Sequence, residues 1–443
     1  MPQLLAVLAL VSGAHAASSQ SLPWRYGAFI DGGSEGSRIY VMRWKPSLDP
    51  EGEIICPEII GDKSTAPGVA SFALNHTGAG ASLEPLVEYT KKLMHSERGQ
   101  WAHMPLYLRA TAGMRLLFPE QRESILDNIR TYFRTLPFLF RDDMASVATG
   151  EEEGVFGWIS ANYLMGNLRP DKVPNASSTI GSLDLGGASA QIVFIPQKSI
   201  IQHAFPLRLG PHQLQVYSYS FLRFGIREAA HHAAMLVISD ALMSVQSENS
   251  IKHPCFSKGY VYIPKFSYSD QSFAPIQVSM KGTSDFEGCE ALVKRIFDKN
   301  APCLIEQCSF YGVYQPRVLD VKFLAFSHFA DIAGDLGVPE KGRLEDLLVA
   351  ARYVCSLSRA QLDLLFKRVQ DETIRMHLCF HATFAVTLLH SGYGIEENDI
   401  LFKSNHNGQP IDWAVGAMMY AINQDNKLSR PLVNVSTAHV LDV

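Results

Sequence analysis

Two stretches decide how this chain reads: FIDGGSEGSRIYV at Phe29–Val41 and LDLGGASAQIVF at Leu183–Phe194. Each begins as an apolar strand, runs into Asp-x-Gly, passes small hydroxyl-bearing residues and leaves as a β-branched strand. Each therefore predicts a hairpin with a tight glycine tip. Glycine lets backbone come close to a ligand, successive loop N–H groups form an anion nest, and a strand-end Asp can reach a metal or its bound water. One D-x-G-x-S is usually an ordinary turn. Here the aspartates, Asp31 and Asp184, stand 153 residues apart. Such self-similarity predicts two related halves with a ligand cleft between them, facing loops gripping a polyphosphate.

The composition permits that architecture. The chain has 443 residues, of which 47% are hydrophobic and 19% charged, enough for two sizeable domains and against disorder. The net charge of −5 and the lack of any dense Lys/Arg run exclude a basic footprint, so a small ligand is expected rather than nucleic acid. The N-terminus MPQLLAVLALVSGAHA has an apolar core at Leu4–Val11 followed by Ala14-His15-Ala16, which reads as a signal peptide over residues 1–16. No later stretch is long and apolar enough for a membrane span. The expected location is the secretory pathway, either a lumen or outside the cell, as a soluble protein.

Seven dispersed cysteines, none in a C-x-x-C pair or clustered with His, fit an oxidising compartment better than a metal site. Cys303 and Cys308 could close a small loop. The odd number leaves at least one thiol free or paired between chains, and spacing alone does not fix connectivity. Sequons at Asn75, Asn175 and Asn434 are compatible with glycosylation.

Between the hairpins, ASLEPLVEYTKKLM predicts a helix capped by Ser82. PEQRESILDNIRTYF predicts another, with Pro119 at its first position and Ile125, Ile129 and Phe133 on its buried face. LYLRATAGMRLL predicts a strand, a small-residue turn at Thr111-Ala112-Gly113 and a helix start able to aim N–H groups at an anion. GEEEG at Gly150–Gly154 reads either as a solvated acidic helix start or as placing one glutamate in the cleft as a general base. Further helical patterns cover Arg227–Val245, Arg343–Val354 and Leu378–His390. His231-His232 read as surface residues and Trp44, Trp101 and Trp158 as core. The alternation predicts an α/β fold with mixed sheets.

The ordered set DGGSEGSR, ATAGMRLL, GEEEGVFGWISANYL, LDLGGASAQI and DWAVGAM resembles the apyrase conserved regions of the nucleoside tri- and diphosphohydrolases. Fillers such as PGVASFA, VYSYSFLRFG, HPCFSKGY, CSFYGVYQP and FLAFSHF extend the likeness from about Tyr26 to Tyr420. The resemblance implies two ribonuclease H-like domains of the actin, hexokinase and heat-shock ATPase type around an active-site cleft. Residues 20–149, with 404–443 returning, would form domain I, and 150–403 domain II. It implies Glu153 as the base that deprotonates the attacking water, with Ser189 and Gln191 positioning that water. Asp31 and Asp184 would hold Mg²⁺ or Ca²⁺ through its water shell. Ser34, Thr111, Ala112, Gly113, Gly186, Gly187 and Ala188 would line the phosphates of a nucleoside tri- or diphosphate. It further implies disulfides Cys255–Cys289, Cys303–Cys308 and Cys355–Cys379, leaving Cys56 unpaired.

Four positions depart from the family pattern. The usual loop Ser or Thr is Glu35, a carboxylate that repels phosphate unless it points away or binds metal. Ala190 replaces a common Thr. Asp331 stands near the place of a base-stacking aromatic, and a basic position after SFLRFG is displaced to Arg227. Base preference is therefore not inherited, and the sequence leaves the oligomeric state open. An exopolyphosphatase-like hydrolase and a catalytically weakened nucleotide-binding protein are the competing readings.

Overall fold

The computed structural model describes residues 22–243, 251–264, 278–305, 307–396 and 399–432. Residues 1–16, expected to be a signal peptide, Asn434 and the end of the returning segment lie outside the described residues.

The first sheet contains β1 (Arg25–Gly32), β2 (Ser37–Trp44), β3 (Glu58–Thr65), β4 (Leu106–Ala110) and β5 (Ala145–Val147), in the order β3-β2-β1-β4-β5. The second begins with β6 (Gly181–Leu185), β7 (Ser189–Phe194), β8 (Ala204–Leu209) and β9 (His212–Leu222). A small separate sheet holds β10 (Ile251–His253), β11 (Val261–Tyr262) and β12 (Met280–Gly282). The second sheet is completed by β13 (Phe323–Ser327), β14 (Lys341–Arg343) and β15 (Asp399–Phe402), in the order β14-β15-β13-β6-β7-β9-β8.

The predicted repeat extends beyond the hairpins. The run β3-β2-β1-β4-β5 corresponds to β9-β7-β6-β13-β15, with the first three strands of each antiparallel and the last two joined in parallel. Asp31 and Asp184 occupy equivalent ends of the two central strands, paired across their hairpins with Arg38 and Gln191.

Helices fill the layers. On the outer face of the first sheet lie α1 (Glu84–Leu93), the short α2 (Ala112–Arg115) and α3 (Pro119–Phe133), whose Ile125, Ile129 and Phe133 are buried as the periodicity predicts. Ser82 does not cap α1. A 3₁₀ turn over Ala81–Leu83 intervenes, Leu83 holds the cap position, and the Ser82 hydroxyl donates back to the Ala79 carbonyl. Next comes α4 (Gly150–Leu164). The second sheet's outer face carries α5 (Ile226–Met243), α6 (Phe286–Ile296), α7 (His328–Leu336), α8 (Leu344–Ser356), α9 (Arg359–Leu365) and α10 (Glu372–Thr387), many of whose apolar residues join one core. Finally α11 (Trp413–Gln424) returns to the first half, where Trp413 packs edge-on against Phe29 at 5.5 Å.

The shared layer is α4 with α11. Their side chains form one core with Phe29, Tyr40, Met42 and Trp44 of the first sheet and Val193, Leu207, Leu209 and Val216 of the second. From Glu153 to Asn162 every residue of α4 is buried, which explains its lack of a polar stripe. Gly150, Gly154 and Gly157 recur on one face, where added methyl groups would run into Ser220, Val193 and Phe326. On the other side, a Cβ at Gly416 would overlap the Phe156 carbonyl oxygen.

Trp44 and Trp158 are fully buried as expected, whereas Trp101 is only partly so. His231 and His232 are half-buried on α5 rather than on the surface. Among the described residues no helix is long and apolar enough to cross a membrane. Disulfides join Cys255–Cys289, Cys303–Cys308 and Cys355–Cys379, and Cys56 is free, its thiol pushed up to about 12 by burial. Asn75 and Asn175 are exposed.

In an ordinary helix Gly→Ala gains up to about 1 kcal/mol. At Gly416 the overlap with Phe156 reverses the sign, so Gly416→Ala is expected to lower stability by about 1 to 3 kcal/mol in urea unfolding. An equal or raised midpoint would show that the α4–α11 approach is not closely constrained.

Candidate active site

Strand alternation selects what faces the shared layer. On β1, Ala28 and Ile30 enter the outer core, so Phe29 and Asp31 point toward α4 and α11. On β6, Leu183 and Leu185 pack outward and Asp184 points inward. On β7, Ala190, Ile192 and Phe194 pack outward, leaving Ser189, Gln191 and Val193 on the α4 side. The same period therefore directs Asp31, Asp184, Ser189 and Gln191 to one place.

The helix chooses among the three glutamates. Thr149 caps α4, its hydroxyl accepting from Glu152 N at 3.1 Å, and Glu152 Oε2 accepts from Thr149 N at 2.9 Å. Glu152 is thus used as the capping partner. Glu153, about 100° further round, turns inward and is 7% exposed.

Glu153 meets Arg115, which the sequence reading did not single out. Arg115 Nη1 lies 2.8 Å from Glu153 Oε2 and 3.1 Å from the Ala148 carbonyl, while Nη2 donates to Ser189 Oγ at 3.2 Å. One guanidinium from α2 thereby connects the helix between the halves with the second hairpin. Gln191 Nε2 donates to Ser189 Oγ at 2.9 Å and to Ser220 Oγ at 3.1 Å, while Gln191 Oε1 has no hydrogen-bond partner. Ser189 Oγ accepts two hydrogen bonds, so its own proton remains for a third.

Asp412 was also missed as a site residue. It caps α11, accepting from Ala414 N at 2.8 Å and from the Tyr40 hydroxyl at 2.6 Å. Its position just before a helix reads locally as an ordinary cap, which hides its proximity to the other acids. The Trp413 indole near Asp31 and the Ser327 hydroxyl near Asp184 favour the ionised carboxylates, yet Oδ1 of each is buried without a partner. Ser327 itself sits at φ 53°, a strained conformation at a strand-to-helix junction.

Four buried carboxylates thus lie near enough to act on one another, with Arg115 against Glu153 and the half-exposed Arg38 acting on Asp412. Burial, then Asp412, Glu153 and Asp184, push Asp31 well above the usual carboxylate range. Burial and then Glu153 push Asp184 up to about 8. Asp412 is raised by burial, and Glu153 is raised by burial against the opposing pull of Arg115. Buried oxygens without partners, in a region short of positive charge, fit a hard divalent cation. Among the described residues no group of three His, Cys, Asp or Glu side chains is placed to hold an ion directly. The unpartnered Oδ1 of Asp31 and of Asp184 can each accept from a water of such an ion.

The two loops flank these acids. Ile226 N and Arg227 N donate to the Gly186 and Gly187 carbonyls. A trans peptide points its N–H opposite to its C=O, so the amides of Gly187 and Ala188 turn away from α5. Gly225 lies flat on this loop, where a Cβ would overlap Ala188 N. In the first half, Thr111 N donates to the Gly32 carbonyl at 3.1 Å, and a Cβ at Gly113 would stand 3.0 Å from Ser34 Cα. Ser34 thus lies against Gly113 on one side and Gly187 on the other, so the first loop, the turn after Thr111 and the second loop come together. A cavity of about 1090 Å³ extends from Glu35 and Arg227 between α5, α7 and α10, with Asp331 on its wall.

A model of the GDA1/CD39 (nucleoside phosphatase) family matches residues 18–435. The chain is similar to probable apyrase 3 of Arabidopsis thaliana, 31% identical with 91% of this chain and 83% of that protein covered. It is 29% identical to the guanosine-diphosphatase of Saccharomyces cerevisiae, covering 91% and 81% of the two chains. In structure it resembles a nucleoside triphosphate hydrolase from Neospora caninum, with a TM-score of 0.62 at 18% identity over 92% of this chain and 93% of the other.

A folded-state pKa raised above the unfolded value means that the folded protein holds the extra proton, so stability falls as pH rises through the folded value. For Asp184 that window runs from about 4 in the unfolded chain to about 8 in the fold. In chelator, Asp184→Asn should be more stable than wild type by a few kcal/mol above pH 8, on the order of the shift, with the gap closing as the pH falls to about 4. Thermal melts across that range test this, and a gap that does not depend on pH would refute the buried-charge account.

Proposed function

The chain belongs to the GDA1/CD39 (nucleoside phosphatase) family, and from that premise we propose hydrolysis of the terminal phosphate of nucleoside tri- and diphosphates by in-line water attack. The observation that carries the reading is the convergence of Glu153, Ser189 and Gln191. The unpartnered Gln191 Oε1 and the Glu153 carboxylate can each accept a proton of one water, and the Ser189 hydroxyl can donate to it.

As the water oxygen bonds to the terminal phosphorus, the bond from that phosphorus to the bridging oxygen breaks. The bridging oxygen leaves with the electron pair on the shorter nucleotide, and the water proton passes to Glu153. Arg115 keeps Glu153 ionised and aligned before attack, acting as a positioning residue. The amides of Gly187 and Ala188, with Ser34 and the Thr111–Gly113 turn, take the phosphoryl oxygens as their charge develops. Asp31 and Asp184 would hold Mg²⁺ or Ca²⁺ through its waters; the ion, when bound, offsets phosphate charge and aligns the phosphoryl group.

In the same reading, residues 20–149 with the returning 404–443 form one domain and 150–403 the other, and the contact of Trp413 with Phe29 supports that division. Residues 1–16 are a signal peptide that delivers the enzyme to the secretory lumen or outside the cell, and three disulfides suit that compartment.

One observation favours a second reading, a nucleotide-binding protein of weakened activity: the Glu35 carboxylate lies at the second loop, 2.9 Å from where a Gly187 Cβ would be. Phosphate release from ATP, ADP, UDP, GDP and polyphosphate, with Mg²⁺ or Ca²⁺ and then with chelator, separates the alternatives. Metal-dependent release from nucleotides is expected. Binding without release would favour the second reading, and release that grows with polyphosphate length would favour an exopolyphosphatase.

Glu153→Gln should lower kcat by about 10²- to 10⁴-fold, the usual worth of a general base, with nucleotide affinity kept. Unchanged turnover would remove Glu153 from that role. Arg115 lowers the Glu153 pKa, so Arg115→Met should move the acid limb of the pH–rate profile to higher pH. A profile that merely drops in height would assign Arg115 a different part.

A further inference from the structure

The tips of the two loops touch. A Cβ at Gly187 would lie 2.7 Å from Ser34 Oγ and 2.9 Å from Glu35 Oε1, so the Glu35 side chain rests on the backbone of the second loop. Arg227 faces it. Its amide is tied to the Gly187 carbonyl, its Nη1 donates to the Ser34 carbonyl at 3.5 Å, and the same nitrogen stands 3.8 Å from Glu35 Oε1. Arg227 is shared, because its Nε lies 3.6 Å from Glu228 Oε1. Glu228 also faces His231 Nδ1 at 3.9 Å, but burial lowers the His231 pKa, so that ring adds no charge at neutral pH.

Glu35, Arg227 and Glu228 together are thus net negative by one charge. Glu35 and Arg227 also line the cavity of about 1090 Å³. They stand where that cavity meets the phosphate loops, so a phosphate chain running from the cavity to Ser189 passes Glu35.

We infer that Glu35 is a specificity-determining residue, which through its charge favours nucleoside diphosphates over triphosphates. The inference rests on the phosphohydrolase reading and narrows its substrate class. Each further phosphate adds negative charge near a carboxylate whose neighbouring cation is already divided between two acids. Repulsion between unit charges at such separations, between the dielectric of water and that of a protein surface, corresponds to about a tenfold effect. Glu35 touches neither Glu153 nor the water-positioning pair, so its effect falls on the choice between substrates rather than on the attack itself.

The test is kcat/KM for a diphosphate and a triphosphate of the same base, in wild type, Glu35→Gln and Glu35→Ser, at low and high salt. Glu35→Gln keeps the size of the side chain and removes its charge. It is expected to raise the triphosphate-to-diphosphate ratio about tenfold, and the gain should shrink as salt screens the wild-type repulsion. An unchanged ratio in both variants would overturn the inference. So would loss of both activities together with weaker Mg²⁺ affinity, which would place Glu35 among the groups that hold the cation. A wild-type protein that binds both nucleotides and hydrolyses neither would instead refute the proposed reaction, and the inference with it.

Discussion

Four carboxylates buried in one small volume, Asp31, Asp184, Glu153 and Asp412, impose the constraint on which the rest of this structure depends. Left in an apolar core, such a group would be driven out or neutralised, since desolvation and mutual repulsion both oppose ionisation. The fold answers with particular donors. Arg115 pairs with Glu153, the Tyr40 hydroxyl and the Ala414 amide meet Asp412, and the nearby Trp413 indole and Ser327 hydroxyl favour the ionised forms of Asp31 and Asp184. These donors come from both sheets and from the returning helix, so no one segment could build the site alone.

Holding those donors in place is a packing problem. Because α4 and α11 cross with Gly416 against the Phe156 carbonyl, and α4 lies on the second sheet through Gly150, Gly154 and Gly157, the acids are fixed by close backbone approach. Glu153 and Asp412 sit at the N-terminal ends of these two helices, and Asp31 and Asp184 at the ends of the two central strands. Strand ends and helix starts meet at the same edge of the layered stack, where the outward-directed loop amides also lie. The proposed phosphatase site is thus laid out by the repeat itself, with each half contributing an equivalent aspartate and an equivalent glycine loop.

Much of this was legible in the chain. The two hairpins and the helix at Pro119–Phe133 follow from local rules, glycine tips and proline at a first position. The charge pattern left open which of Glu151, Glu152 and Glu153 turns inward, and only the family resemblance pointed to Glu153. The Ser82 cap failed because a 3₁₀ turn took up the residues before Glu84, and a hydroxyl three residues from a carbonyl finds it as readily as it finds an amide. Arg115 left only a faint signal, a lone cation in the apolar stretch GMRLL, and nothing local indicated that its partner would be 38 residues away. Asp412 was masked by its own capping role.

The sequence by itself determined the period: two Asp-x-Gly loops at domain spacing, each flanked by β-forming residues, which dictate two like halves and put one aspartate at the end of each central strand. That information is local, set by backbone sterics and the alternation of side chains along a strand. Only the tertiary structure decided which charges meet. That Arg115 joins Glu153 to Ser189, that Asp412 completes the acidic cluster, and that Glu35 reaches the opposite loop beside Arg227 depend on how two sheets close on a shared pair of helices. Contacts between residues far apart in sequence are set by the packing of whole layers, and the spacing of residues along a chain does not encode them.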